Sequence, residues 1–211
     1  MVTGLTLLHT SPVHVPVFDA LRDREHPGAV LRHLVVPELL DRARAQGPAA
    51  VGPDVRALLD GSGAPVLVTC STIGAVAESL APALGVPVLR VDRPMAAEAV
   101  RTGPRIVVLA TLESTLDPTL ALLAEEAGRA GRPVSVSARV VPDAWSRFEA
   151  GDTAGCLRLV AEAADAVTDA DVIALAQASM ADASLLTTTA VPVLSSPAPG
   201  LTAAHRAVVR S

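Results

Sequence analysis

The tetrapeptide Val-Pro-Val-Leu occurs at Val86–Leu89 and again at Val191–Leu194, 105 residues later. Two further echoes keep the same chain order and nearly the same offset. The segment Gly4–Ser11, GLTLLHTS, is echoed by Ile106–Ser114, about 102 residues on, and VLVTCST at Val66–Thr72 by VIALAQAS at Val172–Ser179, about 106 on. Three ordered echoes at one offset imply that the chain is built from two similar halves. Its 211 residues are enough to give each half a core of its own.

Within each half, short apolar runs alternate with longer helical patterns. The runs Leu5–His9, Ala29–Val36, Pro65–Thr69, Pro87–Val91, Arg105–Ala110, Pro133–Val140, Val172–Ala176 and Pro192–Leu194 read as strands. Helices are expected over Val13–Arg24, Pro37–Gln46, Pro53–Asp60, Ile73–Leu84, Met95–Thr102, Thr115–Ala130, Thr153–Thr168, Met180–Leu186 and Thr202–Arg210. Alternation of this kind gives an α/β fold: two pseudo-symmetric Rossmann-like lobes, each a four-stranded, mostly parallel sheet with helices on both faces. The boundaries fall near Asp92 and Leu194. Residues 1–92 with 195–211 then make the N-terminal lobe, its C-terminal helix returning to it, and 93–194 the other lobe. A pseudo-two-fold would bring the carboxyl ends of the two sets of strands face to face, where open α/β sheets bind ligands.

Composition narrows the chemistry. Only Phe18, Phe148 and Trp145 are aromatic, so the core is Val, Leu and Ala, as in a buried parallel sheet. All 17 basic residues are Arg. Without Lys there is no Schiff base for pyridoxal phosphate and no P-loop. Without Tyr there is no phenolic acid or base. A net charge of −5 with scattered Arg argues against nucleic acid. Arg22 is the first positive side chain, and no apolar run approaches a membrane span, so neither a signal peptide nor a membrane partner is expected. Two cysteines make no disulfide framework, and the reading is cytoplasmic. The histidines, at 9, 14, 26, 33 and 205, show no ligand-like clustering, and no metal is expected.

The strand ends carry small polar groups: His9-Thr10-Ser11, Cys70-Ser71-Thr72, Thr111 with Ser114-Thr115, Gln177-Ala178-Ser179, and Ser195-Ser196. Each has a plain reading as a helix cap. Taken together, on matching ends of both halves, they read as one anion site in which hydroxyls and free helix N–H groups seat a carboxylate. Cys70 stands where a strand hands over to a helix, the setting that activates a thiol. Cys156, between Gly155 and Leu157 in a helical pattern, reads as structural.

These residues resemble the aspartate/glutamate/hydantoin racemase superfamily, which also holds arylmalonate decarboxylases and maleate isomerases. The best matches are VTCSTIG (Val68–Gly74), VLRVDRPMAAEAV (Val88–Val100), RIVVLATLESTLDPT (Arg105–Thr119), ADVIALAQASMADA (Ala170–Ala183) and VPVLSSP (Val191–Pro197). The resemblance implies two α/β lobes, no cofactor, and two cysteines flanking the substrate α-carbon, one removing a proton and one returning it. Cys70 matches the first. The second belongs to a segment similar to LGCAGM; here it is LAQASM, with Gln177 in the cysteine position. Gln cannot exchange a proton with carbon. Glutamate racemases also place an Asp in the strand-1 loop and a His after the second cysteine, where this chain has His9-Thr10-Ser11 and Ser179-Met180.

The expected activity is therefore that of a cofactor-independent isomerase or racemase acting on a small carboxylate or a cyclic imide such as a hydantoin. Cys70 and Gln177 are its catalytic pair, expected to face each other across one cleft. His9, Thr10, Ser11, Ser71, Thr72, Thr111, Ser114, Thr115, Ala178, Ser179 and Ser196 would bind substrate. The alternatives are a non-catalytic small-anion binding protein on the same fold and a one-thiol decarboxylase. Apolar helix faces suit a homo-oligomer.

Overall fold

The computed structural model describes residues 4–210. In chain order it holds β1 (Leu5–His9), α1 (His14–Glu25), β2 (Leu31–Val35), α2 (Glu38–Gln46), a three-ten turn (Pro48–Val51), α3 (Gly52–Leu59), β3 (Val66–Val68), α4 (Ser71–Ser79), α5 (Ala81–Leu84) and β4 (Val88–Arg90). Then follow α6 (Arg93–Thr102), β5 (Arg105–Ala110), a three-ten turn (Glu113–Thr115), α7 (Leu116–Ala130), β6 (Ser135–Val140), α8 (Ala144–Glu149), α9 (Thr153–Asp165), β7 (Val172–Leu175), a three-ten helix (Ala178–Leu185), β8 (Val193–Leu194) and α10 (Pro197–Arg210).

The strands form two separate four-stranded sheets, ordered β2-β1-β3-β4 and β6-β5-β7-β8. Every pairing is parallel. One compact unit ends at Val91 and resumes at Pro197; the other is Asp92–Ser196. Residues 1–3 and 211 lie outside the described residues. No described helix is long and apolar enough to cross a membrane.

Each sheet buries both faces, as parallel sheets do. In the first, Leu7 and Leu67 pack with Phe18 and Leu21 of α1 and Leu201 and Ala204 of α10. Leu8, Val66 and Val68 point the other way, onto Leu39, Val55, Leu59, Ile73 and Ala77 of α2, α3 and α4. In the second, Val108 and Ala174 meet Met95, Ala99, Leu122 and Leu123 of α6 and α7. Leu109, Ile173 and Leu175 meet Val160 and Ala164 of α9.

The registers make the repeat physical. The N–H of Val66 donates to the carbonyl of Pro87 at 2.8 Å, and that of Ile173 to Pro192 at 2.9 Å. The two Val-Pro-Val-Leu segments thus enter equivalent edge strands. Likewise Thr69 N–H reaches Leu8 at 3.0 Å, and Ala176 N–H reaches Leu109 at 2.9 Å. By this register Thr10 corresponds to Thr111, His9 to Ala110, and Cys70 to Gln177.

Three helical expectations are corrected, and one short helix, α8, is added. The helix over Ile73–Leu84 divides at Leu80, because Pro82 has no N–H to continue the ladder. Met180–Leu186 is a three-ten helix over Ala178–Leu185, tightened where the hydroxyls of Ser184 and Thr187 donate to the carbonyls three residues back. The C-terminal helix begins at Pro197, five residues early, with prolines in its first turn. The six residues of α8 are too short for a periodic signal, although Trp145 and Phe148 pack ring to ring at 5.4 Å.

Helix α10 lies on the first sheet through Gly200. A Cβ there would stand 2.5 Å from the Val91 carbonyl oxygen and 2.7 Å from a Val91 methyl. Gly200→Ala is expected to cost about 1–3 kcal/mol of unfolding free energy, read from urea titrations, as α10 shifts off its strand.

Candidate functional site

In a parallel sheet all strands end on one side, so every loop after a strand gathers there. Cys70 follows β3 as the N-cap residue of α4, with extended backbone at φ −109° and ψ 117°. It is half-buried, and its side chain makes no cap bond. Ser71 and Thr72 are the first two residues of α4 and are buried. They are therefore inside the helix rather than capping it. Gln177 holds the same position in the second unit, as N-cap of the three-ten helix, at φ −123° and ψ 142° and again without a cap bond. Thr115, N-cap of α7, makes none either. Asp152 shows what a cap looks like in this protein: its carboxylate accepts from the Gly155 N–H at 2.9 Å.

The Gln177 amide is oriented by chemistry. Its Oε1 accepts from the Thr111 N–H at 2.6 Å and from the Thr111 hydroxyl at 3.0 Å. A backbone N–H needs an acceptor, so the oxygen lies toward Thr111 and the NH2 group points elsewhere with its donors. Thr111 is thus the second unit's support for Gln177. Ala178 is buried with only a methyl group and offers a ligand nothing but its N–H. Ser179 is half-buried.

His9 is corrected. It is fully buried, and both ring nitrogens are in use. Thr69 Oγ1 donates to the Leu8 carbonyl at 3.2 Å, so His9 Nδ1–H donates to Thr69 Oγ1 at 2.8 Å. His9 Nε2 then accepts from His33 Nδ1–H at 2.8 Å, and His33 Nε2 faces Asp19 at 3.4 Å. Burial, with the neighbouring His14 and His33, pulls the His9 pKa down to about 3. His9 is a neutral spacer that ties β1 to β2 and β3; it has no nitrogen left for a ligand. Thr10 is buried and Ser11 half-buried in the loop above it.

Four buried side-chain atoms among the described residues lack a hydrogen-bond partner: His14 Nδ1, Ser114 Oγ, Trp145 Nε1 and Ser196 Oγ. All four follow a strand end within five residues: β1, β5, β6 and β8 respectively. Buried polar groups are ordinarily satisfied, so each of these atoms stands out within its own unit. Ser114 and Ser196 carry recognisable polar strand-end signals. His14 and Trp145 were not expected, since neither belongs to a repeated motif. Their only sequence signal is distance from a strand end. Among the described residues no group of three or more His, Cys, Asp or Glu is placed to hold a metal ion.

The model of the Asp/Glu/hydantoin racemase family matches residues 15–204. The chain belongs to this family. Solved structures with the same fold include a glutamate racemase isoform from Bacillus anthracis, with a TM-score of 0.72 at 16% identity over 99% of this chain and 82% of that one. An aspartate racemase from Picrophilus torridus gives 0.66 at 14% identity, covering 98% and 94%. An allantoin racemase from Pseudomonas fluorescens gives 0.62 at 21% identity, covering 99% and 91%. No curated protein matches the chain. At these identities the structural likeness concerns the fold alone.

The two thiols of this family member differ sharply. Cys156 is buried in α9, where burial and then Asp152 push its pKa up. Iodoacetamide at neutral pH is expected to label Cys70 alone, with Cys156 labelled only on unfolding; peptide mass mapping reads this directly. A second outcome concerns pH. Burial also pulls His14 down to about 4. Folded His9 and His14 stay neutral where the unfolded chain, near 6.5, takes up protons. Stability is therefore full above about pH 6.5 and falls on acidification toward pH 4 and 3, by up to about 1.4 kcal/mol per pH unit for each group. Urea midpoints from pH 7 to 4.5 check the slope; a flat profile contradicts the neutral assignment.

Proposed function

We propose that this chain is a cofactor-independent racemase- or isomerase-type enzyme for a small carboxylate or a hydantoin-like cyclic imide, working with one thiol, Cys70. The observation that carries the reading is the half-buried thiol of Cys70 at the start of α4, just past the end of β3, in a member of the racemase family. The extended backbone at Cys70 leaves the first-turn N–H groups of α4 without a side-chain cap, which suits an anion at that helix end.

In this reading Cys70 exchanges the proton at the substrate's acidic carbon. Abstraction leaves an enolate, and hydrogen-bond donors fixed before the reaction stabilise its oxygen. Gln177 is such a donor: Thr111 holds its carbonyl oxygen, so the NH2 is presented and does not rotate away. The amide has no proton equilibrium near neutral pH and serves no second face of the carbon. Two-base racemisation of free aspartate or glutamate is accordingly not part of the proposal.

The test is a panel of small chiral carboxylates and hydantoins in D2O, followed by NMR for loss of the α-proton signal. One class should exchange. Cys70→Ser should remove almost all exchange, and Gln177→Ala should slow it, by about 10–1000-fold if the amide is a main oxyanion donor. Gln177→Cys restores the family's thiol pair and should add two-face racemisation. Exchange that survives Cys70→Ser contradicts the proposal, as does a panel without exchange.

A further inference from the structure

His14 is the first residue of α1, five residues past the end of β1. Its ring lies 6.1 Å from that of His9, and its Nδ1 is buried with no partner. His9 and His33, its neighbours in the cluster, spend their facing nitrogens on each other, on Thr69 and on Asp19. The buried ring nitrogen left without a partner among these three histidines is His14 Nδ1. The register sets where this happens. β1 and β3 run side by side with Leu8 opposite Val68, so the loop bearing Thr10 and Ser11 and the residue Cys70 leave the sheet together. The N-terminus of α1 and the uncapped N-terminus of α4 thus belong to neighbouring loops of one unit.

We propose that His14 takes up a proton when a carboxylate binds at the Cys70 strand end, so that the ligand is held by an imidazolium formed only in the complex. The inference rests on the anion-site reading of the Cys70 loop. The physical logic is desolvation. An imidazole whose Nδ1 is buried with no acceptor beside it stays neutral, and an anion supplies the acceptor and the countercharge that reverse the balance. The charged and titratable groups around it are accounted for. His9 on β1 lies beside His14, and His33 on β2 is bonded to His9. Asp19 on α1 faces His33 Nε2 at 3.4 Å, and Arg22 is paired with Asp19 and Asp23. Among the described residues no carboxylate partners His14 Nδ1, so the counterion comes with the ligand.

The consequence is affinity that rises on acidification. The free ring has its pKa near 4. Between that value and the raised value in the complex, affinity grows about tenfold for each pH unit lost. The probe is dichloroacetate, which stays ionised throughout. Titration calorimetry at pH 5.5 in two buffers of different ionisation enthalpy should report close to one proton taken up per chain. His14→Gln should abolish the uptake and flatten the pH dependence, while His33→Gln should keep both. Binding without uptake, or uptake that persists in His14→Gln, overturns the role of His14 and leaves the proposed enzyme standing. No heat of binding, with no protection of Cys70 from iodoacetamide, overturns both. If His14→Gln fails to fold, the ¹⁵N shifts of the His14 ring with and without dichloroacetate decide instead: neutral in both states contradicts the proposal.

Discussion

Parallel pairing of β1 with β3, and of β5 with β7, decides where chemistry can stand in this protein. A parallel ladder aligns the carboxyl ends of neighbouring strands, and the chain must leave each strand there and enter a helix. Backbone N–H groups at those helix starts have no partners within the helix. Both catalytic candidates occupy this junction. Cys70 and Gln177 are the second residues past β3 and β7, each in extended conformation before a helical turn. If either register slipped by one residue, its side chain would turn to the opposite face of the sheet. The buried Val and Leu faces on both sides prevent that slip.

Beneath the same junction the two units diverge. In the first, His9 and His33 occupy adjacent strands and link into Thr69 and Asp19. The register assigns Ala110 and Ala138 to the corresponding places in the second. One unit fills the space under its strand ends with a satisfied polar network, the other with methyl groups. The polar version is rigid only while each ring stays in its tautomer, so the first unit carries the acid sensitivity.

The repeat was legible because it is a packing repeat: Val-Pro-Val-Leu enters an edge strand twice, and its apolar residues contact the same layer each time. The strands β1 and β5 agree with their sequence limits for the same reason, since both are central and buried on both faces. The site was legible only where a motif repeats. Cys70 and Gln177 stand at matching positions, as do Thr10 and Thr111, and Thr111 holds the Gln177 amide. His9 was legible as a polar strand-end residue but not as a spent one, because its partners Thr69 and His33 are 60 and 24 residues away. His14 and Trp145 were illegible, because what distinguishes them is an empty hydrogen-bonding position, and sequence does not record vacancies.

The helix after β4, α6, belongs to the second unit, and the helix after β8, α10, belongs to the first. The second unit is thus one unbroken stretch, whereas the first is assembled from both ends of the described chain. During synthesis the Asp92–Ser196 stretch can complete its own core as soon as it has emerged. The Leu5, Leu7 and Phe18 layer must wait, bare on the side that Leu201 and Ala204 will cover, until α10 is made. Gly200 then fits against Val91 in a slot with no room for a side chain. The order of birth along the ribosome is therefore the reverse of the order of closure, and the unit that carries Cys70 is the last to become watertight.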